Sequence, residues 1–127
     1  MSEKQTCACG GAPKLIFPCS GGSDVGELSD RAARKLTKDG IGNMYCLAGI
    51  GGRVSGIMAS TESAAKILAL DGCPLNCARK TLEQAGFAKV EHLCLADIGL
   101  LKGASEPTAE NINKVAQAAI PLLARQN

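Results

Sequence analysis

Seven of the 127 residues are cysteine, against a single histidine. Four of them, Cys19, Cys46, Cys73 and Cys77, each adjoin a short apolar run or a glycine-bearing loop. Thiolates are soft ligands. Four together close a tetrahedral zinc shell, and four also hold an iron–sulfur cluster. The same thiols serve equally well in a thiol-based redox or thiol-transfer enzyme, where one sulfur attacks and a second resolves through a disulfide. The spacing narrows these choices only in part. Cys73-Pro-Leu-Asn-Cys77 is a C-x3-C pair, with no repeated C-x2-C of the zinc-ribbon kind and no third cysteine two residues on, as radical enzymes have. An odd count argues against a disulfide framework. With so little histidine, any metal here is expected to be held mostly by sulfur.

The remaining candidates divide by setting. Cys94 lies between Leu93 and Leu95 and alternates with His92, so it is expected to pack in the core. His92 is expected to face solvent on the same strand. Cys7 and Cys9 sit in a polar leader and carry no firm role. Cys73 lies at the start of an expected helix, which suits metal ligation and nucleophilicity alike. Asp71 is expected to bond loop N–H groups, to orient a ligand from behind, or to serve only as a turn residue. Asp97, after the last strand, is placed to reach the same site or to serve a turn. Other chemistries fail on particular residues. A Cys-x5-Arg phosphatase loop starting at Cys19 needs arginine where Val25 stands. The Gly49-Ile50-Gly51-Gly52 loop lacks the last glycine of a dinucleotide fingerprint, since position 54 is Val54. Neither loop has the Gly-Lys-Ser/Thr of a phosphate-binding loop.

Positioning these residues falls to alternating strands and helices. Lys14–Phe17, Met44–Leu47, Ile67–Leu70 and Val90–Leu95 are short apolar runs that suit strands. Asp24–Lys38 reads as a helix with Asp24 and Glu27 as a capping pair and Val25, Leu28, Ala32 and Leu36 as its apolar stripe. Arg53–Ser60 is a short helix, Asn76–Ala85 another with Pro74 at its start, and Thr108–Arg125 the last, with Pro121 expected to kink or end it. The pattern implies an α/β domain over residues 14–127, following a flexible leader over 1–13. Its architecture is expected to be a three-layer sandwich around a small, mostly parallel sheet of about four strands, Rossmann-like or flavodoxin-like. Such sheets place their ligands at the carboxyl ends of the strands. Cys19, Cys46 and Cys73 each follow one, and Cys77 is placed one turn into the next helix.

Composition agrees with a small globular domain. Apolar residues make 46%, charged residues 20%, and the net charge is +2. Aromatics are 2%, too few for base-stacking platforms, and no basic stripe marks a nucleic-acid binder. No apolar run approaches the roughly 18–20 residues of a membrane span. The polar start lacks a secretory signal, so a cytoplasmic location is expected.

Cys19-Ser-Gly-Gly-Ser-Asp24, Tyr45-Cys46-Leu-Ala-Gly-Ile50 and Asp71-Gly-Cys-Pro-Leu-Asn-Cys77 together resemble the DGC-domain family, as do Asp97-Ile-Gly99 and Lys102-Gly103. The resemblance runs from about Pro13 to Gly103. It implies a zinc-binding protein whose four chelating cysteines match Cys19, Cys46, Cys73 and Cys77. It implies no settled substrate or reaction.

Overall fold

The computed structural model describes residues 11–125. Most of the expected leader therefore lies outside the described residues, Cys7 and Cys9 included. Four strands form one parallel sheet in the order β2-β1-β3-β4: β1 (Lys14–Pro18), β2 (Asn43–Met44), β3 (Lys66–Asp71) and β4 (Glu91–Cys94). Five α-helices connect or follow them: α1 (Asp24–Lys38), α2 (Leu47–Gly51), α3 (Ser55–Glu62), α4 (Cys77–Gln84) and α5 (Ala109–Ala124). The β2-β1-β3 order is the flavodoxin-like arrangement, in which the chain leaves β1 and β3 in opposite directions.

Residue alternation along the strands divides the core between the two sides of the sheet. Ile16, Leu68, Leu70 and Leu93 pack with Val25, Leu28 and Leu36 of α1 and with Val115 and Leu123 of α5. Leu15, Phe17, Ile67 and Ala69 pack with Ile50 of α2 and with Ala78 and Leu82 of α4. β3 is buried along its whole length, as a strand covered on both faces must be. Among the described residues, no helix is long and apolar enough to cross a membrane.

Three local expectations are corrected. The strand expected at Met44–Leu47 is present only at its start, as β2. Pairing with β1 stops at Met44, and Cys46 opens α2, so the expected glycine loop 48–52 is largely helical. The small residues there let the turn pack tightly: an added side-chain carbon on Gly49 would run into Ile57. The cap of α1 is Ser23 rather than Asp24; its hydroxyl accepts from the Gly26 N–H at 3.1 Å. Pro121 does not end α5, which runs on to Ala124. Proline removes one N–H, and this late in the helix most backbone bonds are already made.

Candidate functional site

Because the strands are parallel, their carboxyl ends share one edge, and each strand brings a cysteine to it. Cys19 follows β1 directly, Cys46 lies two residues beyond β2, Cys73 two beyond β3, and Cys94 closes β4. In sheet order the row reads Cys46, Cys19, Cys73, Cys94. Cys77 is the first residue of α4 rather than a turn inside it. Its C-x3-C segment is taken up by a tight turn in which the Asn76 N–H donates to the Cys73 carbonyl at 3.1 Å.

The β1–α1 and β3–α4 loops meet where the strand order reverses. The Cys19 N–H donates to the Leu70 carbonyl at 2.9 Å, carrying the β1–β3 pairing one step past the strand end. The Gly72 N–H in turn points at the Cys19 sulfur, 3.4 Å away. That contact requires a glycine. A side-chain carbon on Gly72 would come within 2.8–2.9 Å of the backbone of Val25, which cannot yield. Gly26 is constrained in the same way, since a side chain there would strike the backbone of Gly21. On its other side the Cys19 sulfur lies 3.4 Å from the Ser29 hydroxyl. Ser29 donates its single proton to the Gly26 carbonyl at 2.8 Å and also accepts the Ser20 N–H. In that arrangement the Cys19 thiol is the donor to Ser29.

Asp71 is the hub of the second loop. It is 1% exposed. One carboxylate oxygen accepts the Ala78 N–H at 2.7 Å, and the other accepts the Arg79 N–H at 3.1 Å. These are orphan donors in the first turn of α4. The residue at the cap position, Asn76, has a left-handed backbone and makes no capping bond. Its side-chain oxygen is buried without a partner among the described residues. Asp71 therefore caps α4 from the strand, and its second oxygen also meets His92 Nε2 at 2.9 Å. His92 was expected to face solvent; its side chain is only 18% exposed and turned onto Asp71. The register explains this, since Ala69 pairs with His92 and Asp71 with Cys94, one step along the same face. A carboxylate only accepts, so the imidazole proton is on Nε2.

The cysteines differ in setting. Cys19 and Cys73 are half-buried, and Cys46 and Cys77 are exposed. Cys94 is buried, as expected; burial pushes its thiol up, and the nearby Asp97, Asp71 and Cys73 act in the same direction against one N–H from Ala96. That suits an inert core thiol. Cys19 and Cys46 line one cleft of about 480 Å3, with Tyr45, Leu47 and Thr81 around them. Tyr45 stands edge-on to Phe17, ring centroids 5.9 Å apart. Cys73 instead packs toward the α1–α5 core, and Cys19 toward the α2–α4 core. Asp97 is exposed on the 3-10 turn Leu95–Ile98.

The donor chemistry of this edge is that of a soft-metal ligand set: thiols carried on two adjoining loops and one strand end, with an N–H directed at one sulfur. The four-sulfur shell is not gathered, however. Among the described residues, no three His, Cys, Asp or Glu side chains form a group able to hold a metal ion.

Sequence reasoning placed Asp71 beside the site but missed His92. The one signal that could have found it is alternation: Asp71 and His92 fall on the same face only once the β3–β4 register is known.

Comparison with known proteins gives the setting. The family model of the DGC domain matches residues 15–119. The "Anaerobic and virulence modulator AnvM" of Pseudomonas aeruginosa (strain PAO1) is 39% identical over 88 residues, which cover 69% of this chain and 67% of that protein. No solved structure matches. The family match takes in both cysteine loops and all four strands except Lys14 at the start of β1, and the chain belongs to the DGC domain family.

Proposed function

We propose that this protein is a cytoplasmic metal-binding protein whose carboxyl-edge thiols take zinc, with Cys19, Cys46, Cys73 and Cys77 as the ligands. The observation that carries the reading is the meeting of the two cysteine loops at the strand-order reversal, with the Gly72 N–H aimed at the Cys19 sulfur. Such N–H···S contacts accompany metal-bound sulfur and tune it. Zinc accepts four thiolates without a preferred geometry of its own. On this reading Cys19 and Cys73 are held by the loops, while exposed Cys46 and Cys77 close over the ion as it binds. Binding releases the thiol protons and couples affinity to pH.

The test is metal analysis of anaerobically purified protein with its visible spectrum. About one zinc per chain and no colour are expected, with metal content falling in each of Cys19→Ser, Cys46→Ser, Cys73→Ser and Cys77→Ser. Unchanged metal in all four variants would sink the ligand set. A brown chromophore would point to an iron–sulfur cluster held by the same residues.

A second reading rests on a separate observation, the shared cleft of Cys19 and Cys46. Two thiols in one cleft, one exposed, are the minimum for thiol-based redox or thiol-transfer chemistry. The relative's name, a modulator of anaerobic traits and virulence, is compatible with a thiol site that senses oxidation. Metal-free protein with a fast-reacting Cys46 thiol would favour this reading over the first.

A further inference from the structure

We propose that His92, the one histidine and no member of the sulfur set, is a positioning residue: through Asp71 it holds the Gly72–Cys77 segment in the geometry that presents Cys73 and Cys77 and aims the Gly72 N–H at Cys19. The metal arm of the test rests on the zinc reading above, and the other arms do not.

Asp71 is nearly sealed from solvent and carries three donors, two from the backbone of α4 and one from His92. A buried carboxylate is tolerated only when its lone pairs are filled. His92 supplies the donor that comes from outside the loop. It stands on β4, a strand paired to β3 through Leu68–Asp71, so the hydrogen bond ties the loop to the sheet. The segment so tied is short. Gly72 follows Asp71 directly, and Ala78 and Arg79 follow Cys77 directly. Asp71 thus grips both ends of the run that contains Cys73 and Cys77. Asn76, at the cap position of α4, makes no side-chain capping bond, so the first-turn N–H groups of Ala78 and Arg79 depend on Asp71. Loss of the His92 donor leaves Asp71, nearly sealed from solvent, with two donors in place of three. The carboxylate then turns toward water, and the α4 N–H groups and the Gly72 contact loosen together.

The full chain is compared with His92→Leu, which keeps the volume but cannot donate, and with His92→Gln, whose amide N–H can reach the carboxylate. Three quantities are measured: iodoacetamide alkylation rates of individual cysteines in metal-free protein, amide exchange, and zinc affinity by competition with a chromophoric chelator. In His92→Leu, alkylation of Cys73 and exchange of the Ala78 and Arg79 amides should rise about fivefold or more, while the Leu28 and Leu36 amides of α1 keep their protection. Zinc affinity should fall about 10- to 100-fold, the usual effect of removing a group that orients a ligand. His92→Gln should stay within about threefold of wild type in every arm. The proposal is overturned if His92→Leu alkylates and exchanges like wild type, if His92→Gln is as impaired as His92→Leu, or if the α1 amides lose protection equally, which would make the residue a general prop. If wild-type protein takes no zinc, the metal reading fails while alkylation and exchange still decide the role of His92.

Discussion

The two loops that meet at the sheet edge solve the same problem in different ways. Each carries a cysteine from a strand end into a helix start, and each must satisfy the orphan N–H groups of that helix. The β1–α1 loop does so from within: Ser23 caps Gly26 three residues on. Asp24 accepts the Val25 N–H of the same first turn at 2.8 Å, and also the Gly103 and Ser105 N–H groups at 2.9–3.0 Å, and so clasps a distant loop. The β3–α4 loop reaches backward and sideways. Its cap is Asp71, seven residues before the N–H it accepts most closely, and its third donor arrives from β4. The first loop is locally encoded and exposed, whereas the second is tertiary and buried. Local caps are worth about 1 kcal/mol and fail alone; a buried shared carboxylate fails together with everything it grips.

The contrast is open to test, and the largest effect should come from the buried carboxylate. Asp71→Ala strands the Ala78 and Arg79 N–H groups and His92 at once, and should cost about 3–5 kcal/mol in urea unfolding. A cost near 1 kcal/mol would place the two loops on the same footing. Next is the contact between the loops. Gly72→Ala forces a carbon against the Val25 backbone and should cost about 2–3 kcal/mol, as overpacking against unyielding atoms does. Ser23→Ala removes a single local cap and should cost about 1 kcal/mol by the same measurement. The smallest effect concerns Asp24. Its carboxyl is held below its usual value of 3.8 by the N–H groups of Gly103, Ser105 and Val25. A group depressed on folding contributes stability above its unfolded value, and loses that contribution as pH falls through the lower folded value. Asp24→Asn should therefore lower stability slightly at neutral pH, where the contribution is present, and converge with wild type in acid, so that the fall in stability below about pH 4 is flattened. An unchanged acid limb would remove the clasp from the comparison.

Legibility followed the same division. Helix α1 spans Asp24–Lys38 as its stripe and charges predict, because both its apolar face and its cap lie within one stretch of chain. Strands β1 and β3 were legible as short apolar runs, and the inert setting of Cys94 followed from its flanking leucines. The run at Met44–Leu47 misled because strand and helix starts look alike over four apolar residues. Only pairing to β1 decides, and it stops after two residues. His92 misled because alternation says which residues share a face, not whether that face is covered. The α4 cap was legible only as an option for Asp71, since the residue at the cap position makes no capping bond.

What the sequence determined by itself is the alternation of strand and helix, the parallel sheet, and the delivery of Cys19, Cys46 and Cys73 to strand ends. Those follow from periodicity and chain direction, which are local properties. Tertiary structure alone decided which cysteines are neighbours, that Gly72 serves Cys19 across 53 positions of sequence, and that the lone histidine is bound to Asp71 rather than turned to water. These depend on strand order and register. Strand order and register are set by how both faces of β3 are covered, and no single stretch of the chain contains that information.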